Sequence, residues 1–158
     1  MTKEKIAVIR SGGQTGVDRG ALDAARAVGF PITGLVPEGG WAEDLTVAPG
    51  LLVDYPELIE MEGGDVIDRT IANVLAADAT LIIIPAHDWE SPGTQLTIET
   101  AEDAGKPLFI ATPDEVADIA AWLETLPDEL DLNVAGPRES FAPGIAQITQ
   151  GVIETLLA

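Results

Sequence analysis

The chain has no cysteine, one histidine, three lysines and seven aromatic residues among its 158 positions. Lack of cysteine excludes disulfides, thiolate metal sites and cysteine nucleophiles. The lone histidine, His87, excludes a histidine-rich metal site within one chain, so no structural metal is expected. With few aromatics and 46% hydrophobic residues, a globular core must be built from Ala, Val, Ile and Leu. Long apolar runs are missing as well. The richest, TLIIIPA at 80–86, falls far short of the roughly 20 residues that cross a bilayer, and the stretch in MTKEKIAVIR is too short for a signal peptide. A soluble cytoplasmic protein is expected, with the length fitting a single domain over 1–158.

Positive charge is scarce. Eight Lys and Arg face 27 Asp and Glu, a formal charge of −19, against the magnitude of about 2–8 usual for a small soluble domain. Such a surface repels nucleic-acid backbones and anionic membranes, so neither is expected as a partner. It suits a saline cytoplasm, where salt screens self-repulsion.

Short apolar runs alternate with amphipathic ones, the pattern of an α/β domain with a mainly parallel sheet of about five to six strands and helices on both faces. Strands are predicted at 6–10, 32–36, 80–84, 108–111 and 130–134, with 51–54 as an added edge strand. Helices are predicted at 17–28, 65–77, 94–104, 113–126 and 143–157. In the fourth, Thr112 is placed to cap and Pro113 to take the first helical position. The glycine- and proline-rich stretch 37–64 reads as loop, and loops of that length are usually functional or mobile.

Open α/β sheets bind ligands beyond the carboxyl ends of their strands, where strand order reverses. Four polar, glycine-bearing segments would gather there: SGGQTG at 11–16, PEGGWAED at 37–44, PAHDWESPGT at 85–94 and AGPRES at 135–140. In the first, Gly12 and Gly13 permit unusual torsions and Gly16 a close approach, while free amides and the Ser11 and Thr15 hydroxyls suit a phosphate or carboxylate. It matches neither the dinucleotide nor the Walker pattern, and a self-satisfied turn is the bland alternative. Asp18 reads equally well as a first-turn carboxylate favoured by the helix dipole. Gly93 and Thr94 offer a second glycine-rich helix start, and two such starts at one edge suit a ligand with two polar ends.

Arg19, Arg69 and Arg138 stand beside these loops, where planar guanidinium groups suit an oxyanion. Surface pairing with the abundant carboxylates is the competing reading, strongest for Arg19. In DVIDRTIANVLAAD, Ile67, Ile71, Val74 and Leu75 form the expected core stripe. Arg69 and Asn73 then fall on nearly the opposite face, where only a second subunit or an overhanging loop would cover them. His87 and Asp88 read as surface groups, Trp122 as core, and Trp41 and Trp89 as loop rings able to stack on a planar ligand.

The segments SGGQTGVDRGALDAA, AED at 42–44, DRTIANV, GT at 93–94, GKP at 105–107 and LNVAGPRES resemble, in order along nearly the whole chain, the molybdenum carrier (molybdenum cofactor carrier-like) family. That family lies in the Rossmann-like group that includes the lonely-guy phosphoribohydrolases. The resemblance implies a three-layer Rossmann-like fold, a nucleotide-type pocket over the sheet and a homo-oligomer, dimer or tetramer. It also implies a small phosphorylated ligand, molybdenum cofactor as cargo or a nucleotide, with an acceptor molybdoenzyme as a partner. Carried onto matching positions, the pocket uses Gly12, Gly13, Gln14, Thr15 and Arg19, then Arg69 and Asn73, then Gly93, Thr94 and Arg138. Thr70, Asn133, Gly136 and Ser140, within the same segments, join the ligand-binding candidates.

Two departures bear on function. The loop at 38–44 reads EGGWAED where the family commonly resembles KGRRAED, a loss of positive charge. In the hydrolase motif P-G-G-x-G-T-x-x-E, Thr97 stands at the glutamate, and Glu99 lies about 200° further round the helix. That disfavours the hydrolase mechanism and favours a non-catalytic binder. An enzyme acting on a nucleotide or nucleoside through Glu43, Asp44 or Glu139, and a ligand sensor with a protein partner, are the alternatives.

Overall fold

The computed structural model describes residues 2–158. A short α1 (Thr2–Lys5), absent from the sequence reading, leads into β1 (Ile6–Arg10), α2 (Val17–Ala27), β2 (Ile32–Thr33) and β3 (Leu35–Val36). After a single 3-10 turn come α3 (Leu51–Asp54), β4 (Ile59–Glu60), α4 (Val66–Ala76), β5 (Ala79–Ile83) and α5 (Pro92–Ala104). The chain closes with β6 (Leu108–Ala111), α6 (Val116–Glu124), β7 (Leu130–Ala135) and α7 (Ile145–Leu157).

Five strands form one parallel sheet in the order β2-β1-β7-β5-β6. Ile9 stands beside Leu132, and Leu81 beside Val134, so the central strands bury apolar side chains on both faces. From β1 to β2 the chain steps one way along the sheet, and from β5 to β6 the other. Right-handed crossovers therefore put α2 and α5 on opposite faces. α7 and α6 share the face of α2, whereas α4 packs with α5. The result is a three-layer, Rossmann-like α/β fold.

Several boundaries differ from expectation. The predicted strand 32–36 is split at Gly34, whose φ is +155° and whose absent Cβ would lie 1.8 Å from the Ser11 carbonyl oxygen. Only glycine lets the chain pass so close, and the break sends β3 away to pair with β4 in a separate ribbon. Residues 51–54 are a helical turn, not an edge strand. Leu51 and Tyr55, four apart, enter a small cluster with Leu22, Val36 and Leu58 beneath the long loop. α5 begins two residues early because Ser91 caps it and Pro92 takes its first position. α6 begins three residues late. The Glu115 carboxylate accepts the Thr112 N–H at 2.8 Å and the Glu115 N–H bonds the Thr112 carbonyl, closing a turn before the helix. Trp122 is partly buried against the core and stacks on Phe109 at 5.4 Å.

The face assignment of α4 is only partly right: Val74 of the expected stripe is fully buried and Ile71 half-buried, but Ile67 and Leu75 are not. Arg69 and Asn73 are 5% and 2% exposed, whereas Ile67 and Leu75 are 55% and 50% exposed. Asn73 accepts the Leu35 N–H and donates to the Leu35 carbonyl, both at 2.9 Å, as a neighbouring strand would. Arg69 donates to the Gly12 carbonyl at 2.7 Å. Backbone groups of the same chain satisfy this polar face, so burial there needs no second subunit.

Candidate functional site

Strand order reverses about β7, and the starts of α2 and α5 diverge over its carboxyl end. A cavity of about 330 Å³ lies there. The β1–α2 loop contributes Gly12 and Gln14 to its wall, the first turn of α2 contributes Asp18, and α4 contributes Val66, Ile67, Arg69, Thr70 and Asn73. The start of α5 adds Ser91 to Thr94, Leu96 and Thr97. Asn133 and the run Ala135 to Arg138 close the floor, with Phe141 at the rim.

A second depression gathers the other sequence candidates: Thr15, Gly16, Arg19, Glu43, Asp44, Glu139 and Ser140. Arg19 makes a bidentate pair with Asp44, both bonds 2.9 Å, and donates to the Gly13 carbonyl. Glu43 accepts from the Thr15 hydroxyl, and at 2.6 Å from the Ser140 hydroxyl. These bonds hold its carboxyl below the usual range against the opposing pull of burial. Glu139 accepts from the Gly144 and Ala146 amides at the start of α7. This network ties the 42–44 and 138–140 loops to the first glycine loop, on its far side from the cavity.

The amides assigned to an anion are engaged within the chain. The Gly13 N–H bonds Ser11 Oγ at 3.1 Å, the Thr15 N–H bonds Gln14 Oε1 at 3.0 Å and the Val17 N–H bonds the Pro137 carbonyl at 3.1 Å. The Gln14 N–H faces the Asp18 carboxylate. Ser11 and Gly13 line neither hollow: Ser11 Oγ donates to the Asp18 carbonyl, and Gly13 packs on Leu51. At this helix start the protein's own carboxylate stands where a bound anion was expected.

Asp18 is 9% exposed, and burial pushes its pKa up to about 6 despite Arg69, the Gln14 N–H, Arg19 and Arg138, which oppose the rise. Arg69 is also buried, and desolvation pulls its pKa down; a guanidinium nevertheless keeps its charge. At α5, Ser91 Oγ accepts the Thr94 N–H at 3.3 Å and Thr97 Oγ1 donates to the Gly93 carbonyl at 3.1 Å. Gly93 adds a first-turn amide, which no helix satisfies internally.

The five arginines divide sharply. Arg10 and Arg19 hold carboxylates at 2.9 Å and Arg26 one at 2.8 Å. Arg138 stands 3.7 Å from Glu43, and Arg69 contacts carbonyl oxygens. Arg69 and Arg138, which make no hydrogen bond to a carboxylate among the described residues, are the two in the cavity wall, where Asp18 faces both. Neither Trp41 nor Trp89 lines it. Its aromatic is Phe141, 56% exposed, with the Arg138 guanidinium 5.1 Å above the ring. Sequence reasoning passed over Phe141, Ser91, Pro92, Leu96 and the α4 residues Val66 and Ile67. Phe141, an aromatic directly after a candidate loop, was the readable signal among them.

Among the described residues, no group of three or more His, Asp or Glu is placed to hold a metal ion, and no helix is long and apolar enough to cross a membrane. No curated protein matches the chain. A crystal structure described as "Putative molybdenum carrier protein from Syntrophus aciditrophicus SB" is 38% identical, covers 99% of this chain and 98% of its own, and superposes with a TM-score of 0.86. The model of the circularly permutated YpsA SLOG family matches residues 9–157. With that match over nearly its whole length, the chain belongs to the circularly permutated YpsA SLOG family.

Proposed function

We propose that this protein is a carrier for a small phosphorylated heteroaromatic molecule, molybdenum cofactor or a nucleotide, held in the cavity over β7. The observation that carries this reading is the pair Arg69 and Arg138, two guanidinium groups in one cavity wall of a very acidic chain, where Asp18 is the one carboxylate that lines the wall with them. Two guanidinium charges against one wall carboxylate leave the wall net positive, and an anionic guest offsets that charge. The volume lies within the ~300–1,000 Å³ of small-molecule pockets. Phe141 beneath Arg138 suits a planar ring, and Thr94, Thr97 and Asn133 suit its polar edge. The likeness to a protein called a molybdenum carrier supports a carrying role. Transfer to an acceptor molybdoenzyme belongs to the same reading. A homo-oligomer has support in Ile67 and Leu75, exposed and apolar on α4.

Mass analysis of the molecule that copurifies under native conditions identifies the cargo. Titration of that molecule into variants tests the site. Arg138→Ala and Arg69→Lys are each expected to weaken binding about 10-fold or more, the scale of a lost charge-assisted hydrogen bond. Arg19→Ala, outside the cavity, is expected to leave affinity nearly unchanged. Full affinity in the Arg69→Lys/Arg138→Ala double variant would remove the reading.

A further inference from the structure

We propose that Asp18 sets the charge of the ligand this cavity accepts, acting as a built-in counter-ion that takes up a proton when a dianion is held. The inference rests on the anion-binding reading above and adds a titrating group to it. Asp18 lines the cavity wall together with Arg69 and Arg138. The charged groups that face it are Arg69 from α4, Arg138 from the loop after β7 and Arg19 from its own helix, and the Gln14 N–H faces it as well. The α5 and β7 walls add only the neutral Thr94, Thr97 and Asn133.

With Asp18 ionised, the wall carries two guanidinium charges less one carboxylate. A monoanion balances that wall, but a dianion leaves excess negative charge in a partly desolvated space. Protonation of Asp18 removes the excess. The group is already close to that step, since burial has raised its pKa to about 6 in the free protein. Gln14 supplies a second, independent sign that the wall is incomplete. Its Oε1 is fixed by the Thr15 and Glu43 amides at 3.0 and 2.9 Å, and its Nε2, buried in the same 5% exposed side chain, has no hydrogen-bond partner. An unmet buried donor is uncommon in a folded protein, and this one, shielded as it stands, reaches a guest oxygen only if the Gln14 side chain turns into the cavity.

The consequence is a coupling between binding and protons. Above the free pKa of about 6, each pH unit is expected to weaken dianion binding up to tenfold, until the pKa of the bound state is passed. Sulfate and molybdate serve as probes, because both remain dianions around neutral pH. Calorimetry on the full chain, in buffers of different protonation heat, reads affinity and proton uptake together. The expected result is uptake approaching one proton per anion near pH 7.5, and affinity at about pH 6 exceeding that at about pH 8 by up to ~50-fold. Asp18→Asn is expected to lose both the uptake and the slope, binding at the higher pH as tightly as the parent does at the lower. Uptake of no proton by the parent, or a slope retained in Asp18→Asn, overturns this inference while the anion site stands. Binding of neither anion at either pH removes the anion site itself, and the inference falls with it.

Discussion

A carboxylate kept at a cavity wall against its own hydration is destabilising in one protonation state only, and Asp18 shows which. Its folded pKa of about 6 lies above the ordinary 3.8, so between those values the folded chain holds a proton that the unfolded chain has released. Stability from this group is therefore greatest below about pH 4 and declines as pH rises towards 6. Above that the full cost, ~3 kcal/mol at about 1.4 kcal/mol per pH unit, is present. Neighbours such as Glu43, Asp44 and Asp65 have lowered pKa values and act with the opposite sign. The informative quantity is thus the difference between the parent and Asp18→Asn in urea unfolding at a series of pH values. The variant is expected to gain stability relative to the parent as pH rises from 4 to about 6, with a plateau above. A constant difference would show that burial does not penalise the charge. Gly12 makes a complementary case, because a Cβ there would lie 2.3 Å from Arg69 Cδ. Gly12→Ala is expected to displace the buried Arg69, whose Cδ it meets, at a cost in stability as well as in ligand affinity. Thermal melting and titration of the same variant separate the two effects.

At the scale of elements, α5 couples stability to the site. Ser91 accepts the Thr94 N–H and donates to the Thr94 hydroxyl, and both residues line the cavity. Ser91→Ala is expected to cost about 1 kcal/mol of stability, the usual value of an N-cap, and to reduce affinity as the first turn frays. Denaturant unfolding and ligand titration together check it, and unchanged affinity would detach the cap from the site. This cap is written in the sequence as S-P-G-T, although the glycine-rich start at Gly93 and Thr94 places the predicted helix at 94, two residues inside the observed start. β1, β6 and α2 were legible at nearly their true bounds, because each is an uninterrupted apolar run or stripe ended by polar or glycine residues. α3 was not, since Leu51, Leu52 and Val53 fit a strand equally well until Leu22 and Leu58 supply the surface they pack on. The stripe read on α4 holds at Val74 but not at Ile67 and Leu75, for a related reason. Counting apolar positions cannot reveal that Arg69 and Asn73 find backbone partners at Gly12 and Leu35. For the candidate site, residue types near glycine-rich loops were readable from the sequence. Which of the two hollows each side chain enters depends on pairings such as Arg19 with Asp44, across 25 positions of the chain.

For the whole molecule, a charge of −19 on 158 residues sets long-range repulsion against two short-range cationic attractions in the cavity. The two have different reach. Repulsion among exposed carboxylates acts across the surface and is screened once the Debye length falls from about 10 Å at 0.1 M salt to about 3 Å at 1 M. Contacts of a guest with Arg69 and Arg138 are at bonding distance inside a partly buried wall and are screened much less. Salt should therefore stabilise the fold and also speed the approach of an anionic ligand, the reverse of the behaviour of a cationic nucleotide-binding surface. Melting temperature is expected to rise steadily between 0.1 and about 1 M sodium chloride. Over the same range the association rate of the copurifying cargo, read by stopped-flow, is expected to rise and its dissociation rate to change little. A falling association rate would mean that a local positive field at the mouth, with Arg138 at its edge, outweighs the charge of the whole chain. Ligand capture would then be governed by the rim of the cavity and not by the acidic surface around it.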